Sequence, residues 1–125
     1  VSPGALQELA AALRAEGSPI SPHVSDPGSD GAAGEYAQLF ESIREGYLLH
    51  YDRPRLLAGH DEDLALLAGD YLYALGLARL AELGDDRAVA LLADLISRCA
   101  QLHTEGRGAE AERLWDEAAG ALGLR

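Results

Sequence analysis

The run from Leu64 to Leu83, LALLAGDYLYALGLARLAEL, contains only three charged residues, Asp70, Arg79 and Glu82. A helix lying on a protein surface needs an apolar stripe only about 100° wide. A helix that is apolar nearly all round is expected at the centre of its domain, or with part of its surface under another chain. Asp70 sharpens the question. Its helical neighbours are Leu66, Leu67, Tyr73 and Ala74, and a carboxylate buried alone among them would cost several kcal/mol or take up a proton. The expectation is that Asp70 pairs with an arginine, a tyrosine hydroxyl or backbone N–H groups. Arg87 and Arg98 on the following helix, or a group from another subunit, are the candidates. Gly69 beside it implies close packing against another backbone, because glycine inside a helix otherwise costs about 1 kcal/mol relative to alanine.

The rest of the chain also reads as helix. Ala, Leu, Glu and Arg dominate, and β-branched residues are scarce. Ser2 is placed to cap a first helix with Pro3 at its first position, and Gly17 ends it. Residues 18–34, SPISPHVSDPGSDGAAG, hold three prolines among Ser, Asp and Gly and read as a linker, leaving 1–17 loosely attached. The pattern predicts a second helix over Glu35–Tyr51, with Tyr36, Leu39, Phe40, Ile43, Tyr47 and His50 on one face. Pro54 breaks it. Asp61 is the N-cap of the third helix, which Gly84 closes. Asp85 or Asp86 opens a fourth, through about His103, with Val89, Leu92, Leu95, Ile96, Cys99 and Leu102 inward. Gly106 and Gly108 mark the next turn, and a fifth helix runs from about Ala109 to Leu122. The expected fold is all-α, a bundle of about five helices. Its body is 35–125, and helices three and four form a central antiparallel hairpin.

At 125 residues the chain has the size of one domain that folds without staples. Cys99 is the single cysteine, so no internal disulfide forms. No apolar leader is read before the first helix, and the expected location is the cytoplasm. A net charge of −11 argues against nucleic acid and anionic membrane surfaces as partners. A membrane span is not expected at 64–83, since an acid near the middle costs about 2.5–3.5 kcal/mol on insertion scales.

No phosphate loop, nucleophile elbow, CxxC pair or HExxH motif is present. Cys99 sits on the apolar side of its helix and reads as a buried structural thiol. His60-Asp61-Glu62-Asp63 offers metal-ligating side chains. Successive helical positions diverge by about 100°, however, so at most two could meet one ion. An acidic first turn facing the positive end of the helix dipole accounts for them. His60, Asp61 and Asp63 are the weak metal candidates. Glu45 and His50 fall on different faces, and no bound cofactor is expected.

The segments Leu66-Leu67-Ala68-Gly69-Asp70-Tyr71-Leu72, Leu80-Ala81-Glu82-Leu83-Gly84-Asp85 and Val89-Ala90-Leu91-Leu92-Ala93 resemble the all-α trans-polyprenyl diphosphate synthases. The likeness spans about Leu64 to Cys99. Catalysis in that family relies on two aspartate-rich magnesium-binding motifs. The region before the Gly-Asp helix here, Tyr47 to Arg55, has only Asp52. The resemblance therefore points to the non-catalytic small subunits of two-component synthases, like heptaprenyl diphosphate synthase component 1. It implies no catalysis by this chain alone and Mg²⁺ only through a catalytic partner. It also implies an interface at the helices matching 64–83 and 87–102, in a homodimer or in a heterodimer with a catalytic subunit. Gly69, Asp70 and Tyr71 are the positions the resemblance carries over, as packing and interface residues, and Leu75, Leu92 and Cys99 are expected beside them as interface or structural positions. Two other readings stand beside it: a stand-alone helical homo-oligomer without prenyl chemistry, and a small metal-binding helical protein.

Overall fold

A computed structural model describes residues 4–25, 35–59 and 61–124. The described residues form five α-helices: α1 (Ala5–Ala15), α2 (Glu35–Tyr51), α3 (Glu62–Glu82), α4 (Asp86–Thr104) and α5 (Ala111–Ala121). Short 3-10 turns occupy Ser21–His23 and Gly108–Glu110. The all-α expectation holds, and so do the bounds of α2.

The helix ends follow the local chemistry. Asp61 caps α3, its carboxylate accepting the Leu64 N–H at 2.8 Å, and Asp85 caps α4 through the Ala88 N–H at 2.9 Å. Gly84 adopts φ +78°, and the N–H groups of Gly84 and Asp85 return to the carbonyls of Ala81 and Leu80. That closing motif satisfies the last carbonyls of α3, and only glycine enters its left-handed position without strain. At the first helix the N-cap is Gly4, not Ser2. Ser2 and Pro3 lie outside the described residues.

The chain divides into two compact units, one up to Gly76 and one from Leu77, so the division falls within α3. It does not fall at residues 34/35. In the first unit α1 buries Ala5, Leu6, Leu9, Ala10 and Leu13. Leu6, Leu9, Ala10 and Leu13 form a continuous core with Ile20, Leu49, Leu56, Leu57, Ala68 and Leu72. The first helix is thus an integral part of this unit rather than a loosely held arm. The Pro-rich stretch is also structured at its start. Ile20 is buried, Val24 forms an isolated antiparallel bridge with Leu57, and the Ser25 N–H donates to the Leu56 carbonyl at 2.6 Å. Apolar Ile20 and Val24 among the prolines are what make this possible. Residues 26–34 of the expected linker lie outside the described residues.

α2 is the most enclosed helix of the first unit, with Ala37, Leu39, Phe40, Ser42, Ile43, Glu45, Tyr47, Leu48 and Leu49 all buried. Tyr36, placed on its inward face by periodicity, is exposed. The second unit buries Leu80, Ala88, Leu92, Leu95, Cys99, Ala111, Leu114, Trp115 and Ala118.

Candidate interaction face on α3

α3 turns its small residues inward. Ala68, Gly69, Leu72 and Gly76 are buried at helical spacing, and each glycine admits part of α2. A Cβ on Gly69 would stand 2.7 Å from His50 Nε2 and 3.1 Å from the Gly46 carbonyl oxygen. A Cβ on Gly46 would stand 2.8 Å from the Gly69 carbonyl oxygen and from the Tyr73 ring, and one on Gly76 would meet Ile43 at 2.5 Å. Contacts under 3.0 Å require something to shift. Ser42 donates its hydroxyl to the Leu72 carbonyl at 2.9 Å across the same seam. The close approach expected of Gly69 exists, and its partner is α2 of the same chain.

The opposite face of α3 carries the large side chains. Leu66 is 55% exposed and Leu67 62%, and Tyr71 and Leu75 on the same face are exposed as well. These four are the majority of the exposed large apolar side chains among the described residues, whose remaining members there are Tyr36, Tyr51 and Leu83. A contiguous apolar surface of this kind marks an interaction site more often than scattered single leucines do. α3 is also the one helix among the described residues with the length and composition to cross a membrane.

Asp70 corrects a specific expectation. It is not buried: its side chain is 77% exposed, and the group beside it is neither Arg87 nor Arg98. Oδ1 lies 3.1 Å from Nε2 of His50, whose own side chain is only 14% exposed. The His50 ring stacks on Tyr73 at a centroid distance of 5.3 Å and 28° between planes, with Tyr51 at 6.0 Å. The helical neighbours Leu66 and Leu67, counted as enclosing Asp70, point to solvent beside it. Arg98 is placed near Asp94 instead, at 3.8 Å.

Tyr71 donates its hydroxyl to Glu16 at 2.8 Å, fixing the ring against the end of α1. This bond and partial burial raise the phenol above its ordinary value. Leu75 continues the face one turn on. Leu92 and Cys99 are interior to the second unit, so they act as structural positions. Burial pushes the Cys99 thiol up to about 11, which keeps it protonated and unreactive at neutral pH.

Among the metal candidates, Asp61 serves as the α3 cap, Asp63 is exposed in the first turn, and His60 lies outside the described residues. No group of three or more metal-ligating side chains converges among the described residues.

Glu45 is the buried group that periodicity did not single out. Fully enclosed, it accepts the backbone N–H groups of Arg55 and Leu56, the latter at 3.0 Å, with Arg55 Nε at 3.4 Å. Arg55 also reaches Glu41 at 2.7 Å. Burial raises the Glu45 carboxyl above its usual range, against the opposing pull of Arg55 and the two N–H groups. This pin fastens the Pro54–Leu57 segment to α2.

No family model, curated protein or solved structure matches this chain.

Proposed function

We propose that this chain is a non-catalytic helical assembly subunit whose working surface is the exposed face of α3. The supporting observation is the grouping of Leu66, Leu67, Tyr71 and Leu75 on one side of a helix already packed on its other side. Covering such side chains returns about 25 cal/mol per Å² of apolar surface removed from water. The partner is a second copy of this chain. The acids at this face are placed within the chain, Asp70 3.1 Å from His50 Nε2 and Glu16 accepting the Tyr71 hydroxyl, which leaves Leu66, Leu67 and Leu75 as the surface for a like copy to cover. The second reading is a heterodimer with a catalytic polyprenyl diphosphate synthase subunit. It is favoured by the resemblance at Leu66–Leu72, whose Leu66, Leu67 and Tyr71 lie on the same exposed face.

Light scattering over a wide concentration range tests both readings. The expected result is a dimer that Leu67→Glu converts to a folded monomer. A chain that stays monomeric at high concentration removes self-association. Co-purification with a synthase that Leu67→Glu abolishes then establishes the heterodimer, and failure of both ends the assembly reading. Partition of the wild-type protein into lipid vesicles would assign the face to a bilayer instead.

A further inference from the structure

The second unit contains a groove unrelated to the α3 face. It runs between α4 and α5 as two adjoining hollows that share Arg98 and Leu114. One, of about 260 Å³, is lined by Arg98, Gln101, Leu102, Arg107, Glu110, Arg113 and Leu114. Three of the ten basic residues of a strongly acidic chain thus converge on one small depression, over a floor of Leu102 and Leu114. The neighbouring hollow extends that floor through Leu95, Ala118 and Ala121.

The three guanidinium groups are not equivalent. Arg107 is held by Glu110 through two short bonds, 2.6 and 2.8 Å, with Glu105 at 3.4 Å. Its charge is neutralised and its fork is fixed. Arg98 and Arg113 face carboxylates one helical turn away on their own helices, Asp94 at 3.8 Å and Glu117 at 3.9 Å, and the charge of Arg113 also acts on Glu110. Those separations exceed the roughly 2.7–2.9 Å of a charge-assisted hydrogen bond. Two guanidinium forks of the geometry that grips an oxyanion therefore remain available beside an apolar floor.

The geometry points to a binding site for a small apolar carboxylate, its head on Arg98 and Arg113 and its hydrocarbon part on Leu102, Leu114 and Leu95. A monoanion fits better than a dianion, since Glu110 lines this hollow and Asp94 and Glu117 the adjoining one, and they would repel a second negative charge. The volume lies below the roughly 300 Å³ at which drug-sized ligand sites begin, which limits the ligand to a short chain or a single ring.

The test is a titration of the full chain with hexanoate, followed by the side-chain Nε–Hε NMR signals of its arginines. Saturable shifts at Arg98 and Arg113 are expected. Arg98→Gln with Arg113→Gln should weaken binding by about tenfold or more, since each removes a charged hydrogen-bond donor. Both side chains are exposed, so the doubly substituted chain keeps its fold, which circular dichroism checks. Acetate, lacking the hydrocarbon part, should bind more weakly than hexanoate. Shifts that fail to saturate, that sodium chloride reproduces at equal ionic strength, or that survive the double substitution overturn the proposal. Inorganic phosphate binding as tightly as hexanoate overturns the choice of an apolar monoanion.

Discussion

α2 and α3 lie against each other in the first unit and invert the usual relation between hydropathy and burial. α2 carries Glu41, Arg44, Glu45 and His50 and is buried along most of its length. α3 has a nearly uncharged run, yet it leaves Leu66, Leu67, Tyr71 and Leu75 in solvent. The difference lies in what each helix offers its neighbours. α2 has partners on several sides: the α3 glycines, the core shared with α1, and the Pro54–Leu57 segment that Glu45 holds. α3 meets α2 and the core shared with α1 along the side of Ala68, Gly69, Leu72, Tyr73 and Gly76. Apolar content measures what a helix gains by being covered, whereas contact depends on which faces have something to touch.

The contrast is exposed to four tests. The largest effect belongs to Glu45→Ala, which strips the buried Leu56 N–H and the part-buried Arg55 N–H of their acceptor. Unsatisfied buried donors cost roughly 1–3 kcal/mol each, so chemical denaturation should show about 3–4 kcal/mol lost. A loss under 1 kcal/mol would mean that the Pro54–Leu57 segment is not anchored there.

Gly46→Ala comes next, since its new methyl meets the Gly69 carbonyl as well as the Tyr73 ring. Overpacking of this kind costs about 1–3 kcal/mol, read as a lowered denaturation midpoint. A neutral result would show that α2 and α3 separate freely.

A smaller effect is expected from pH. The folded-state carboxyl of Glu45 is raised, so its contribution favours the folded state fully below the ordinary value of 4.5. That contribution fades as pH rises through the raised value. Relative to Glu45→Gln, the wild type should therefore lose stability as pH climbs from 4.5 toward neutrality. A difference that stays constant, or grows in the opposite direction, contradicts the burial-dominated shift.

The smallest change belongs to Leu67→Glu. On an exposed helix face its effect on the monomer should stay within about 0.5 kcal/mol, while the assembly state changes. Unfolding of this variant would place Leu67 in a core and end the contrast between the two helices.

Much of the fold was legible because helix ends have local causes. Asp61, Asp85, Gly84 and Pro54 act on their own neighbours in the chain, and each sits where its chemistry placed it. The site was less legible. Asp70 looked buried because its helical neighbours are apolar, but Leu66 and Leu67 share its exposed face, and the side chain nearest its carboxylate, His50, belongs to another helix. Counting apolar residues made α3 central. The better signal was the stripe of small residues, Ala68, Gly69 and Gly76, which identifies the packed face and leaves the large leucines on the other. Glu45 was hidden for the converse reason: a single acid in a helix gives no sign of the N–H groups that will come to meet it.

The bridge at Val24 and Leu57 has a consequence for the connectivity of the chain. His23 and Ala58 flank it with a backbone bond of 2.9 Å, and Ser25 with Leu56 adds another. Together with the buried leucines of α1, these bonds tie residues 4–25 to the remainder of the first unit at positions distant in sequence. The segment 4–25 is therefore a fragment that the rest of its own unit should recapture when the two are supplied as separate peptides.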